Sequence, residues 1–394
     1  MRQAGPIGDA PPCVPLRSSA PSYHPMNRRQ ILVAGAGSVL NIASRGATPS
    51  FAKARVVFLN PGESTERETG QHWQLVSKFM SIAAKNFGMQ LEVLYAERDH
   101  MLMVRQAEEV ANRVDAPDYV VIVNEKMAAL DMLRLLSRTS SKIVLIHNDL
   151  TNEQRRVVGD ERRRIRNWIG TLTADANSAG YRLMDYLCRD RRFARLRVIG
   201  ITGDPNTPVS MERATGVGSW LARAPHAHIN QLVFSNWSFS DSYEKALVLL
   251  ARYPETNVIW GANDSITLAA LKAAETRQVR AVVGGIGALQ EALQRVMKGT
   301  LRAMMAGDYF IGAFAMVLIN DYHNGRDFAT RGSARIKADF LTVVQAENAA
   351  SYYDAIFLHP HELNFGVYST SRYRNDGPYD FRLSHLLGEK MATA

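Results

Sequence analysis

Tyr119-Val120-Val121-Ile122-Val123-Asn124 and Lys142-Ile143-Val144-Leu145-Ile146-His147 are apolar runs that each close on a polar residue. A strand with one face in water alternates apolar and polar side chains. A run without alternation belongs to a strand covered on both faces, as in a parallel sheet between helices. Met127 to Ser137, which lies between them, has helical spacing. Parallel neighbours need such a crossover helix. The same scheme extends towards the N-terminus. Arg55 to Asn60 (RVVFLN) is a short strand-like run that stops at an Asn-Pro-Gly turn. Trp73, Val76, Met80, Ala83, Ala84 and Phe87 recur at helical spacing, and Gly88 ends that helix. Leu91, Val93 and Tyr95 alternate as a strand, and Met101 to Arg113 reads as a helix.

The second half repeats the pattern. Leu196 to Thr202, Gln231 to Ser235, Val258 to Gly261 and Val282 to Gly285 read as strands, each followed by a helical stretch. Alternating strands and helices mean an α/β fold with parallel sheets. Eight such units exceed one ordinary open sheet. Two doubly wound lobes and a single eight-unit barrel both remain open at this point. Glu153 to Asn167 holds Arg155, Arg156, Arg162, Arg163, Arg164 and Arg166 and reads as a solvated connection between the halves. Residues 361–394 are less periodic and read as a tail laid across the surface or partly loose.

Composition excludes several classes. Of 394 residues, 46% are hydrophobic and 22% charged, an ordinary globular balance. The net charge of +9 is uneven. Residues 1–54 hold six of the 47 basic and one of the 38 acidic residues, which leaves 41 and 37, a net of +4. That is too mild to argue for nucleic acid. The two cysteines, Cys13 and Cys188, cannot build a zinc site of their own.

Met26-Asn27-Arg28-Arg29-Gln30 opens a charged stretch, Ile31 to Ala43 is short and apolar, and Ser50-Phe51-Ala52-Lys53-Ala54 offers small residues. These are the parts of a secretory signal, with cleavage after Ala52 or Ala54. Arg28-Arg29 also resembles a twin-arginine signal, so the route is Sec or twin-arginine and the destination the periplasm. Met26 reads as the true start. The competing reading is a disordered arm before a buried element.

No GxSxG, HExxH, P-loop or post-strand GxGxxG is present. Gly284-Gly285-Ile286-Gly287 has the wrong spacing for a dinucleotide, and His226 and His228, beside Pro225, read as a solvated loop. No cofactor and no metal site is expected. The strand ends carry the remaining signal: Asn60, Asn124-Glu125, His147-Asn148-Asp149, Asp204, Asn236-Trp237 and Asn263-Asp264. Ligands of open α/β sheets bind at the carboxyl ends of strands. Amides and carboxylates there suit a ligand rich in hydroxyls, and a Trp face suits the apolar side of a ring. Asn and Asp also end strands as turn and cap residues. Asp264 resembles the cap of a helix from Ser265 to Thr276. Trp73 lies on an apolar helical stripe, whereas Trp237 stands outside one and reads as a ligand platform.

Four stretches resemble the type I periplasmic binding proteins of sugar transporters, over about Arg55 to Asp354. Pro117 to Glu125 is similar to that family's third-strand segment. Met211-Glu212-Arg213-Ala214-Thr215-Gly216 resembles its ERxxG helix start. Trp260-Gly261-Ala262-Asn263-Asp264 through Ala270 resembles its most specific stretch, and Gly299-Thr300-Leu301-Arg302-Ala303 its G-x-L-x-A run. The resemblance implies two doubly wound parallel-sheet lobes, three crossovers near Thr173, Gly307 and Phe340, and a cleft between them. Residues 1–54 would be the leader, 55–173 with 307–340 one lobe, 174–306 with 341–360 the other, and 361–394 the tail. The implied ligand contacts are Asn60, Trp73, Asn124, His147, Asn148, Trp237 and Asn263. Ile286 stands where sugar binders of the family often have Asp, and Met211 where some have Arg. The implied function is a non-catalytic, monomeric, exported protein that closes around a small polar, sugar-like ligand for a membrane ABC permease. A sensor role for a membrane histidine kinase is the alternative, and an enzyme using His147 with Asp149 or Asp264 the competing class. A cytoplasmic repressor is excluded, because residues 1–54 hold no amphipathic helix pair.

Overall fold

The computed structural model describes residues 53–388 apart from 66, 68, 190–194 and 374–376. The leader reading falls outside them, except that Ala54 is buried and its carbonyl accepts from Gln90 N at 2.9 Å.

The first sheet begins with β1 (Arg55–Asn60), α1 (His72–Phe87), β2 (Gln90–Tyr95), α2 (His100–Ala111) and β3 (Tyr119–Val123). It continues with α3 (Ala129–Leu136), β4 (Lys142–Ile146), α4 (Asn152–Val158) and β5 (Trp168–Ala174). Gly88 ends α1 in the left-handed conformation (φ 70°), as its place after the apolar stripe predicts. β3 is buried at every position, the reason its sequence does not alternate. The chain then enters a second sheet: α5 (Ala176–Leu187), β6 (Leu196–Thr202), α6 (Pro208–Leu221), β7 (Ala227–Phe234), α7 (Phe239–Arg252) and β8 (Val258–Gly261). α8 (Asp264–Thr276), β9 (Val282–Gly287), α9 (Gln290–Met297) and β10 (Ala303–Ala306) complete that run.

It returns to the first lobe through α10 (Ile311–His323) and β11 (Arg335–Ala338), and to the second through β12 (Thr342–Val344) and α11 (Ala346–Tyr353). The strand orders are β11-β5-β4-β3-β1-β2 and β12-β10-β9-β8-β6-β7. Among the described residues only the β10–β12 pairing is antiparallel. The sheets therefore exchange the chain after β5, after β10 and between β11 and β12, and beyond α11 the tail returns to the first lobe, where Phe365 packs beside Phe79 of α1. The eight-unit barrel is excluded.

α10 is buried from Ile311 to Asp321, a helix apolar on all sides that packs on α1 and under the first sheet. Among the described residues no helix is long and apolar enough to cross a membrane.

Two expectations need correction and a third is narrowed. Glu153–Asn167 is not simply solvated: the Arg155 side chain is 11% exposed, paired with Asp149, Asp160 and Glu161, and stacked over Trp168. The cap of α8 is Asn263, not Asp264, because the Asn263 amide oxygen accepts from Ile266 N at 2.8 Å and Asp264 is already helical. Of the two readings of the tail, its described residues beyond 361 follow the path laid across the surface. Phe365, Phe381 and Leu383 are buried, and Phe381 stacks on Phe314 of α10 at 4.6 Å. Asp321 of α10 anchors it, accepting from Ser369 Oγ, Thr370 N and Tyr379 Oη at 2.6 to 2.8 Å.

Candidate functional site

In each sheet the winding reverses, between β1 and β3 in one and between β6 and β8 in the other. A doubly wound sheet leaves its crevice at that point, outside the carboxyl ends of the strands. The two crevices face each other and enclose a cavity of about 60 Å³, counted as room for the centre of a water molecule. That is room for a few water molecules.

From the first lobe the wall is Thr69, His72, Trp73, Arg98, Glu125, His147 and Asn148. From the second it is Thr207, Val209, Arg213, Trp237, Asn263, Asp264, Ile286, Gly287 and Leu289, and Asp308 comes from the second crossover. The lobes touch directly at the rim of the cavity, where Val209 N donates to Asn148 Oδ1 at 3.3 Å.

Local structure explains how these side chains are presented. His147 follows β4 with φ 68°, and Arg98 and Trp237 have φ 64° and 72°. Non-glycine residues rarely hold this conformation without a surrounding that enforces it, and such strain gathers at functional sites. Trp237 packs flat on Gly203, where a Cβ would lie 2.0 Å from its ring. Arg213 is set by a close approach of α6 to α5: a Cβ at Gly216 would meet Asn177 O at 2.1 Å, and one at Gly180 would meet Arg213 O at 2.2 Å.

The cavity floor is a knot of charge and aromatic rings. Arg213 Nη2 and His147 Nε2 both reach Asp308 Oδ2, at 2.5 and 3.2 Å, and Arg213 Nη1 donates to Ala262 O at 2.6 Å. Burial opposes the Asp308 charge, but His147 and Arg213 outweigh it and hold the carboxyl below the usual range. The His72, Trp73 and His147 rings meet at centroid distances of 5.0 to 5.3 Å. Burial pushes the His72 imidazole down to about 3, against the pull of Asp308, so it is neutral. Burial raises the Asp264 carboxyl to about 7, although Leu289 N and Ala288 N favour its charged form. Arg98 is paired with buried Glu125 at 2.7 Å.

Five lining residues carry a buried polar atom with no hydrogen-bond partner among the described residues: His72 Nε2, His147 Nδ1, Asn148 Nδ2, Thr207 Oγ1 and Arg213 Nε. Donor atoms of His72, His147 and Asp308 lie within 4.8 Å of one another, a spacing compatible with a cation. The Arg213 guanidinium on the same Asp308 oxygen opposes one.

Of the seven contacts expected from sequence, Trp73, His147, Asn148, Trp237 and Asn263 line the cavity. Asn60 and Asn124 do not, because their amides are taken up by the fold. Asn60 donates to Trp73 O and Ser77 Oγ at 3.0 and 2.7 Å and accepts from Gly62 N, so it fixes the start of α1 behind His72 and Trp73. Asn124 donates to Asp149 O and Gln154 Oε1, both at 2.8 Å, and fixes the loop after β4. Sequence reasoning missed His72, Arg98, Thr207, Arg213 and Asp308 as cavity residues. Arg213 lay inside the Met211–Gly216 run, and its Gly216 was the usable signal. Asp308 directly follows Gly307 at a crossover, and His72 directly precedes Trp73.

Two lobes of this topology that enclose a cavity at their facing switch points define a solute-binding protein. A family model described as a periplasmic binding protein domain matches residues 64–327, and the chain belongs to that family. Membership implies work in the periplasm. A periplasmic sugar-binding protein from Pseudomonas fluorescens is 31% identical, with a TM-score of 0.75 over 85% of this chain and 99% of that one. An ABC transporter periplasmic solute binding protein from Actinobacillus succinogenes 130z, with bound D-allose, is 17% identical, with a TM-score of 0.65 over 76% and 100%. A Caulobacter myo-inositol binding protein bound to myo-inositol is 19% identical, with a TM-score of 0.61 over 77% and 96%. No curated protein matches the sequence.

Proposed function

We propose that the protein captures one sugar-like molecule between its lobes and delivers it, chemically unchanged and as a monomer, to an ABC permease. The observation that carries this reading is the set of five unpartnered polar atoms converging from both lobes on one cavity. A buried polar group without a partner costs about 1–3 kcal/mol. A ligand that supplies the partners recovers that cost only when both lobes are closed on it. Binding then stabilises the closed state. A sugar hydroxyl both donates and accepts, which suits a set that mixes donors and acceptors. Trp73 and Trp237 add flat apolar faces for a ring. The D-allose- and myo-inositol-bound relatives support a polyol ligand.

The enzyme reading loses one of its groups. Asp149 is paired with Arg155 and is not among the lining residues. The test is a thermal-shift screen against monosaccharides and cyclitols, followed by mass spectrometry of the released compound. A ligand at 100 times its Kd adds about 2.7 kcal/mol of stability. No shift with any polyol, or release of a chemically altered compound, would overturn the reading.

A further inference from the structure

The cavity wall is divided by chemistry. The five unpartnered atoms gather around one knot. His72 and His147 meet at 5.3 Å, His147 and Arg213 share Asp308, and Asn148 bonds the backbone of Val209, two residues from Thr207. The stretch from Ile286 to Leu289, where β9 runs into α9, is different. It contributes Ile286, Gly287 and Leu289 to the wall and no polar side-chain atom. The nearest carboxyl there, Asp264, is turned to the backbone: Leu289 N donates to its Oδ1 at 2.7 Å, and its Oδ2 lies where a Cβ on Gly287 would stand.

Charge in the wall is compensated. Arg98 is paired with Glu125 and Arg213 with Asp308, so each guanidinium charge is balanced by a buried carboxylate. A carboxylate or phosphate would enter without an unpaired cation to meet it, which disfavours an anion. A hydroxyl directed at the Ile286 and Leu289 side chains would find no partner on them. A methyl there would instead extend the apolar contact.

Resting on the sugar-binding reading above, we infer that the ligand is an uncharged deoxy sugar. Its hydroxyl edge meets the His72–His147–Asn148–Thr207–Arg213 side, and its deoxygenated carbon meets Ile286 and Leu289. An unpaired buried hydroxyl costs between roughly tenfold and a hundredfold in affinity, the range expected for rejecting the oxygenated counterpart.

The experiment is calorimetric titration of the mature protein with matched pairs that differ by one oxygen. The pairs are L-fucose with L-galactose, L-rhamnose with L-mannose, 6-deoxy-D-glucose with D-glucose, and 2-deoxy-D-ribose with D-ribose; D-glucuronate is the charged arm. At least one deoxy member is expected to bind about tenfold or more tightly than its partner, with glucuronate silent. Ile286→Thr, which sets a hydroxyl in the apolar wall, should narrow that ratio. The wild-type ratios decide the matter if this variant does not fold. Equal or tighter binding of the oxygenated member in every pair, or tightest binding of glucuronate, overturns the deoxy assignment and leaves sugar capture standing. Silence from every sugar removes both readings together.

Discussion

Trp237 and Asn263 act as one unit at the mouth of the second crevice. Asn263 caps α8 with its amide oxygen and holds the Trp237 carbonyl with its nitrogen at 3.2 Å. Trp237→Ala is expected to weaken ligand binding by roughly 1.5–3 kcal/mol, the apolar burial of a large side chain. Asn263→Ala should lower stability by about 1 kcal/mol through the lost cap, and Asn263→Asp should restore most of it. Denaturant titration beside calorimetry separates the two effects, and an Asn263→Ala protein as stable as wild type would contradict the capping role. Asp264 and His72 predict a second signature. Asp264 is raised from 3.8 to about 7, so between those pH values the folded chain holds a proton that the unfolded chain has lost, and stability falls as pH rises. His72 is lowered from 6.5 to about 3, so over that window the unfolded chain holds the extra proton and stability rises with pH. The two slopes oppose each other from about pH 4 to 6.5, where these two contributions to Tm should largely cancel. His72→Asn should unmask a Tm that falls across this window, and Asp264→Asn one that rises; unchanged profiles would refute the opposed titrations. The residues that sequence exposed best were those ending long apolar strands, such as His147 after KIVLIH. Asn60 and Asn124 looked identical in type and place, yet both amides serve the backbone. Sequence does not say which way a strand-end amide turns. Arg213 and Asp308 became a pair only through a fold that joins positions 95 residues apart.

At the scale of elements, the buried parallel strands were the readable part, because a strand covered on both faces writes an unbroken apolar run. β5, β10, β11 and β12 escaped notice. The last three are only three or four residues long. β5 (WIGTLTA) mixes Thr and Gly into its run, with Gly170 leaving room for Phe328. The apolar residues of the tail are spaced for an irregular path over α10 rather than for a helix or strand, so its sequence leaves a surface path and a loose end both open. That path ends on the hinge. Leu383 sits against Gly307 (φ 107°), at the crossover beside Asp308, and Phe340 of the third crossover packs on Phe314 at 5.0 Å. Leu383→Ala is therefore expected to cost roughly 2–3 kcal/mol of stability as a buried truncation. It should also weaken ligand binding, because the support behind Asp308 loosens. Guanidinium unfolding and calorimetry on the same sample check both parts, and unchanged affinity would show that the tail only stabilises.

For the whole molecule, closure is the measurable event. The cavity takes lining from both lobes and from a crossover, so a ligand held there bridges bodies that otherwise meet along a hinge. Small-angle scattering should give a smaller radius of gyration at saturating ligand than without it, and an unchanged radius would refute the hinge. The repeated passage of the chain between the lobes also sets an order on its birth. The second sheet draws β6 to β10 from one unbroken stretch, Leu196–Ala306, and waits only for its antiparallel edge strand. The first sheet lacks α10, β11 and the segment that wraps α10 until the last part of the chain has been made. Contacts between its opening strands and its closing pieces have very large sequence separation, the kind that forms slowly. A nascent or prematurely stopped chain thus carries one nearly finished half and one half with its apolar underside bare, which makes the first lobe the place where aggregation and proteolysis begin.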